Sequence, residues 1–495
     1  MLRKKPLKIK TMKRNIFTIY FLLLLLSLSA QALKGLKIVY RNNGSVSQRL
    51  YSLDSIPEWG YKAGLVFVNI NGQTRLQVTK SNFVQVEYPN LIDTVVARSA
   101  YDFFNSMGVG THLGYGTTTY GNFDQLTYPL LKELGIKHIR DGYGGTLSRT
   151  EQDRRYKILG GEGIKILFCT GTATLASLMP NIKGLLPYLS GVEGSNEVDF
   201  SYNRDVTQWK PISISRQQIL YDSIKNNPKT RSLPVVNFSL AEINTAASIV
   251  GDQSNKIDYG NMHIYAAAKH PALHWGNGLT ENQALGYAKL VSGTKPLIMT
   301  ECGYHNYVAY PQNHAGAPEE VSAIYIPHLF FEYFNMGITR SYIYELLDQN
   351  QDVDGDKELH FGMVRYDGTR KPVFNAVKNL ISLMSDDTNI TPSPLGFKLY
   401  AQTQSINNNL RYTLLQKSNG SWWIAVFRAE SIFNTQTLVT TTLQSEKINL
   451  LFAKNASEIN IYMPNKSVDK QFIFNNKASI DFDLGSELVL IEIIL

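Results

Sequence analysis

The sequence predicts an α/β protein: a (β/α)8 TIM barrel followed by a C-terminal antiparallel β-sandwich, with a short N-terminal β-rich segment in front. Three observations predict it. Between residues 99 and 384, short apolar runs alternate with helical patterns, the signature of repeated βα units around a parallel sheet. After Thr391 the text changes to period-two alternation broken by turns, with Asn419-Gly420 joining two such runs as a hairpin signal. A chain of 495 residues also exceeds one ordinary core, so two or three domains are expected.

Residues 1–32 read as a secretory signal: a basic stretch over 3–14, an apolar run over 16–28, and the small-residue site Ala30-Gln-Ala32. The run is short for a membrane span, and no later segment is longer. Met12 is an alternative start. The expected location is therefore outside the cytoplasm, periplasmic or secreted, with no membrane span once the signal is removed. Seven of the 49 basic residues lie in the signal and no acid does, which leaves 42 basic against 41 acidic residues in the mature chain. That near balance gives no reason to expect a nucleic-acid or membrane-surface partner. Cys169 and Cys302 are too few for a disulfide framework and fall in predicted inner strands, where they read as small buried hydrophobes.

Residues 33–98 show strands and turns, including 65–70 followed by Asn71-Gly72. They form either a separate β-module or extra strands on the C-terminal sandwich. The barrel is assigned to 99–388. Its eight strands are predicted at 108–113, 136–141, 164–170, 190–196, 234–240, 257–265, 297–301 and 340–346. Helical spacing marks 123–134, 279–291, 321–335 and 372–384 between and after them. An open doubly wound sheet is the alternative, but no Gly-x-Gly-x-x-Gly turn follows a first strand. The remaining residues, 389–495, are expected to form a sandwich of about seven strands.

Active sites of parallel barrels lie at the carboxyl ends of the strands, so polar residues there carry the functional information. Two glutamates stand at such ends: Glu197, in Ser-Asn-Glu after the fourth strand, and Glu301, in Met-Thr-Glu at the seventh. Paired carboxylates are the machinery of glycoside hydrolysis, one protonating the leaving oxygen and one attacking the sugar. The Asn196-Glu197 pair on strand four and the Thr-Glu on strand seven resemble the retaining glycoside hydrolases of clan A, the four-seven superfamily. The resemblance implies Glu197 as acid/base, Glu301 as nucleophile, and Asn196 as a hydrogen-bond partner of the sugar 2-hydroxyl. It further implies Arg140, at strand two, as a cation beside the nucleophile that keeps it ionised. His263 and Tyr265, at the end of strand six, stand where the clan places groups contacting the nucleophile, and Tyr265 is the expected partner of Glu301.

Glu193, four residues before Glu197, points into the barrel by strand alternation and is expected to be a buried support. His112 at strand one, Asp141 at strand two and Glu345 at strand eight are candidates for lining the sugar subsite. Trp275, after strand six, is a candidate platform for stacking a sugar ring. Two departures from the clan pattern, Cys169-Thr170 at strand three and Tyr344-Glu345 at strand eight, touch sugar specificity rather than reaction type. The exported barrel-plus-sandwich layout is similar to families 39 and 30. Residues 348–356 alternate acidic and amide side chains like a calcium loop, but read from Asn350 the twelfth position is Phe361 rather than glutamate. No His/Cys set has zinc spacing, so no metal and no cofactor is expected. The expected function is a retaining β-glycosidase of poly- or oligosaccharides. The alternative is a non-catalytic glycan-binding or cell-envelope protein on a degenerate barrel. Sugar identity, linkage, oligomeric state and endo against exo action are set by surfaces these motifs do not include.

Overall fold

A computed structural model describes residues 93–495 except 172, 310–313 and 402–408, together with the backbone of six short strands before them. The chain divides into two compact units, Met1–Ile92 and Asp93–Leu495. In the first, Ile19–Leu22, Leu36–Asn42 and Ser45–Tyr51 form one antiparallel sheet, and Trp59–Lys62, Leu65–Val68 and Val78–Thr79 form another. Apart from Ile19–Leu22, the signal expected at 1–32 lies outside the described residues, as does the Asn71-Gly72 turn.

The second unit contains the barrel. Its strands are Met107–Gly110, His138–Gly142, Lys165–Cys169, Leu189–Glu193, Val235–Val236, Gly260–Tyr265, Leu297–Gly303 and Arg340–Ile343, numbered one to eight here. All pairings are parallel, in the order five-four-three-two-one-eight-seven-six. A parallel bridge between Val236 and Tyr259 closes the ring between strands five and six. Every predicted run holds a strand, but strand four stops at Glu193 and strand five spans only two residues. Gly194 gives the reason, since a Cβ there would lie 2.3 Å from Gln217 Oε1 and 2.7 Å from Phe238 N. The Gln217 amide has entered the ladder, accepting from Phe238 N at 3.1 Å. Beyond Glu193 the backbone is therefore free to loop.

The helices follow their sequence signals. Glu281–Ser292 starts with a capping box formed by Thr280 and Gln283. Pro372–Met384 opens with its proline in the first turn, as predicted. The 123–134 segment is split, a wide turn at Phe123–Thr127 preceding the helix Tyr128–Leu134.

The helix Glu319–Asn335 is buried around most of its circumference, because it lies between the barrel and the C-terminal sheet. Its Tyr325 hydroxyl accepts from Ile432 N at 2.6 Å, and the His328 ring stacks on Phe427 at 4.5 Å. That sheet has eight strands, seven in one continuous hydrogen-bonded path and one as a side branch. Pro394–Ala401 pairs with the first half of Glu446–Tyr462 and Val489–Ile494 with the second, while Phe472–Leu484 pairs along both with a register shift between Leu451 and Ala456. The Asn419-Gly420 hairpin forms as expected, with Gln416 opposite Trp422 and Gly420 at φ 92°. Asp93–Val96 and Arg98–Ser99 are the two edge strands of this sheet. The N-terminal β-rich segment thus divides, most of it forming its own sheets and its last residues joining the sandwich.

Candidate active site

Arg140 organises the carboxyl end of the barrel. Strand alternation turns it inward from strand two, and it is 9 % exposed. Its Nε and Nη2 grip Glu193 at 2.7 and 2.8 Å, its Nη1 donates to Glu301 Oε1 at 2.6 Å, and Nη2 also reaches Asn196 Oδ1 at 2.7 Å. One rigid guanidinium thus fixes three side chains from strands four and seven and the loop between. Glu193 is fully buried and also accepts from Asn261 Nδ2 and Thr300 Oγ1, both at 3.1 Å. Burial opposes charge on Arg140, but Glu193 and Glu301 outweigh it and hold the guanidinium protonated.

Glu301 reaches the interior through a bulge. Met262 stands opposite Met299 and His263 opposite Glu301, so Thr300 is an extra residue on strand seven. Both Thr300 and Glu301 then engage interior groups, which simple alternation would forbid. Tyr265 donates to Glu301 Oε2 at 2.7 Å, and His263 Nδ1 lies 3.5 Å from the same oxygen. Burial raises the Glu301 pKa, yet His263, Arg140 and the Tyr265 hydroxyl together pull it well below the usual carboxylate range.

Glu197 lies four residues beyond strand four. Its φ of 41° and ψ of 57° place it in the left-handed region, strained for a non-glycine residue. Strand five's following loop holds it there. Ser239 Oγ accepts from Glu197 N at 2.7 Å, Ser239 O accepts from Val198 N at 3.1 Å, and Ser239 N donates to Ser195 O at 3.1 Å. The Glu197 side chain is partly exposed and meets His263 Nδ1 at 3.0 Å, while His263 Nε2 is 2.9 Å from Thr300 Oγ1. Burial lowers the His263 pKa, but the two flanking glutamates raise it above the ordinary value. Ligand atoms of Glu197, His263 and Glu301 all lie within 4.8 Å of one another. They form the set of acids and histidines that converges enough to hold a metal ion among the described residues. One oxygen of each carboxyl therefore lies within 4.8 Å of an oxygen of the other.

The remaining predicted residues divide. His112 stacks on Tyr115 with ring centroids 4.5 Å apart, and its Nε2 is 3.3 Å from the Tyr344 hydroxyl and 3.4 Å from Glu345 Oε2. Burial lowers the His112 pKa to about 4 against the pull of Glu301, so the ring is neutral. Glu345 is fully buried and accepts from Tyr120 and Gln349 at 2.8 and 3.1 Å. Asn196 keeps its Nδ2 without a partner, on an exposed residue, while its Oδ1 is held by Arg140.

Two expectations fail. Asp141 follows the inward Arg140, so it points out to the helix layer, where Thr111, Leu113 N, Gly142 N and Tyr156 all donate to it. Burial raises its pKa to about 6, and it lines no subsite. Trp275 is fully buried against Tyr333, with ring centroids 4.8 Å apart, and has no face to offer a sugar. Asn261 and Ser239 escaped the sequence reading, which named Thr300 and Tyr344 only as parts of the strand-seven and strand-eight motifs. Asn261 had a signal, lying two residues before His263 on the same strand face. Cys169 and Cys302 are both free thiols, and Cys169 Sγ sits 3.9 Å from Arg140 Nη2. In the acidic loop, Lys371 pairs with Asp348, while Asp352 accepts from three backbone N–H groups and His360.

The sequence matches no protein-family model and no curated protein. Solved structures do match. A family 39 glycoside hydrolase from the gut symbiont Bacteroides cellulosilyticus WH2 aligns with a TM-score of 0.56 and 12 % identity, over 93 % of this chain and 87 % of that one. A family 51 arabinofuranosidase from Xanthomonas axonopodis pv. citri gives 0.47 and 11 %, over 81 % and 99 %. A family 2 β-galacturonidase from Eisenbergiella tayi gives 0.39 and 15 %, over 70 % and 58 %. The first match shows that the chain shares the fold of that enzyme, a parallel eight-stranded barrel followed by a β-sandwich.

Proposed function

We propose that this barrel is a retaining β-glycoside hydrolase acting on a poly- or oligosaccharide. The observation that carries the reading is the convergence of Glu197 and Glu301, with carboxyl oxygens within 4.8 Å, Glu301 held ionised by His263, Arg140 and Tyr265 and Glu197 partly exposed. In the first step Glu301 attacks the anomeric carbon, the glycosidic C–O bond breaks, and Glu197 delivers its proton to the departing oxygen. In the second, Glu197 takes a proton from water, whose oxygen attacks the anomeric carbon and releases Glu301. In this reading Asn196 Nδ2 donates to the sugar 2-hydroxyl, which its Oδ1 bond to Arg140 supports by fixing the amide. The leader at 1–32 supports an exported enzyme, and no helix among the described residues is long and apolar enough to cross a membrane.

Glu301→Ala is expected to lower kcat by at least about 10⁴-fold. Azide should restore turnover of an activated aryl glycoside to Glu197→Ala but not to Glu301→Gln, and the first-formed product should keep the β configuration. Wild-type turnover in either carboxyl variant overturns the roles. A glycan-binding protein without activity would instead bind sugars from a polysaccharide and aryl-glycoside panel and hydrolyse none.

A further inference from the structure

At the opposite end of the barrel, a cavity of about 700 Å³ opens between the strand starts. Arg98, Lys137, Lys165 and Arg340 stand in its wall, with Asp102 and Asp387 the acids among its lining residues. None of the four cations forms an ion pair among the described residues. Arg98 donates to Phe334 O at 2.6 Å, Arg340 Nε to Asn105 O at 2.7 Å, and Lys165 to Pro187 O at 2.7 Å, each with N–H groups to spare. Lys137 is half-buried and has no partner. His138 lines the same cavity at 6 % exposure, its Nε2 bonded to Asn105 Oδ1 at 3.1 Å and its Nδ1 buried without a partner.

Residues at the amino ends of barrel strands ordinarily serve stability. Stability would be served by pairing these charges, and the mature chain has as many acids as bases to pair them with. Instead the four are gathered unpaired around one concavity of the size that binds small molecules. Like charges held together in a partly desolvated wall repel, and the repulsion is relieved when an anion sits among them. His138 reports the same field: burial first, then Arg340, Lys165 and Lys137, hold its pKa well below the ordinary value.

We propose that this cavity at the amino end of the barrel binds a phosphate or sulfate group. Arg98 and Arg340 supply guanidinium donors and Lys137 and Lys165 supply compact positive charge, a mixture suited to a tetrahedral oxyanion with more than one negative charge. The ligand is either the free ion or an ester group on a glycan. The site is separate from the glutamate pair, so its occupation does not depend on hydrolysis.

Calorimetry on the full chain at physiological salt, which suppresses diffuse attraction, tests this with inorganic phosphate, sodium sulfate and a sulfated disaccharide. Saturable binding to one site is expected for at least one of the three. Lys137→Ala, which breaks no contact, should weaken it about tenfold or more, and Lys165→Met should add to that loss. Lys454→Ala, an exposed lysine on the C-terminal sheet, should leave it unchanged. Equal affinity for ion and disaccharide assigns the free ion, and tighter binding of the disaccharide assigns the glycan ester. Absence of saturable binding with all three probes, or unchanged affinity in Lys137→Ala, overturns the proposal.

Discussion

Arg140 is the residue on which the candidate site depends most. A lysine in its place keeps the charge but cannot grip Glu193 at two points while also reaching Glu301 and Asn196. Arg140→Lys therefore leaves the buried Glu193 with an incomplete partner, and a loss of about 3 kcal/mol in unfolding free energy is expected. kcat/KM should fall by roughly 10²-fold as Glu301 and Asn196 lose their fixed positions. Denaturant melts and steady-state kinetics read the two effects separately. Tyr265 acts on Glu301 alone. Its hydroxyl bonds to the ionised carboxylate, and a bond of that kind contributes about 1.5–3 kcal/mol, or about one to two pKa units. The sign follows: Tyr265→Phe removes a group that favours the anion, so the Glu301 pKa rises. The acidic limb of the kcat/KM profile should move to higher pH by about one unit. A limb that stays in place would show that Tyr265 does not control the ionisation of Glu301.

At the scale of elements, the eight strand positions were legible because buried parallel strands read as short apolar runs, and Glu197 and Glu301 because each followed such a run. The alternation of single strands also predicted the buried, inward-facing Glu193. The failures share a physical origin. Asp141 adjoins Arg140, and only the register of strand two says which of the two faces inward. Trp275 sits on a turn whose burial is decided by Tyr333, from a helix some 58 residues further on. The Thr300 bulge and the left-handed Glu197 are local departures that no periodicity encodes. Glu332, in the helix Glu319–Asn335, was equally hidden, since its burial depends on the sheet laid over that helix. Its Oε1 is 4.0 Å from Arg411, its Oε2 has no partner, and burial raises its pKa to about 7. A folded-state pKa above the unfolded value means the native state binds more protons, so stability falls as pH rises from about 4.5 through about 7. Glu332→Gln, which keeps the shape without the charge, should be about 2 kcal/mol more stable than wild type at pH 8. The two proteins should have equal stability at pH 4, and equal melting curves at both pH values would contradict the burial argument.

For the Asp93–Leu495 unit as a whole, the question is whether barrel and sheet unfold together. Their shared face argues that they do. Phe427 lies next to the last residue of the sheet strand Trp422–Arg428, is fully buried, and stacks on His328 at 4.5 Å and on His270 at 6.1 Å. His270 and His328 come from the barrel's loop and helix, and both are held neutral, mainly by burial. Exposing this face would uncover aromatic surface and the two desolvated histidines, whose barrel-side contacts are their mutual hydrogen bond at 3.0 Å, the Ala272 N–H and the Tyr325 ring. Phe427→Ala should therefore lower unfolding free energy by about 3–5 kcal/mol, as for a fully buried aromatic. Because the void left by Phe427→Ala would lie on the shared face, hydrogen exchange should quicken together in Met107–Gly110 of the barrel and Val489–Ile494 of the sheet. kcat at 25 °C should stay within about twofold, since the glutamate pair shares no partner with Phe427. Faster exchange confined to the sheet would instead mean that the barrel stands without it, and that the sandwich is an attached module rather than part of one folding unit.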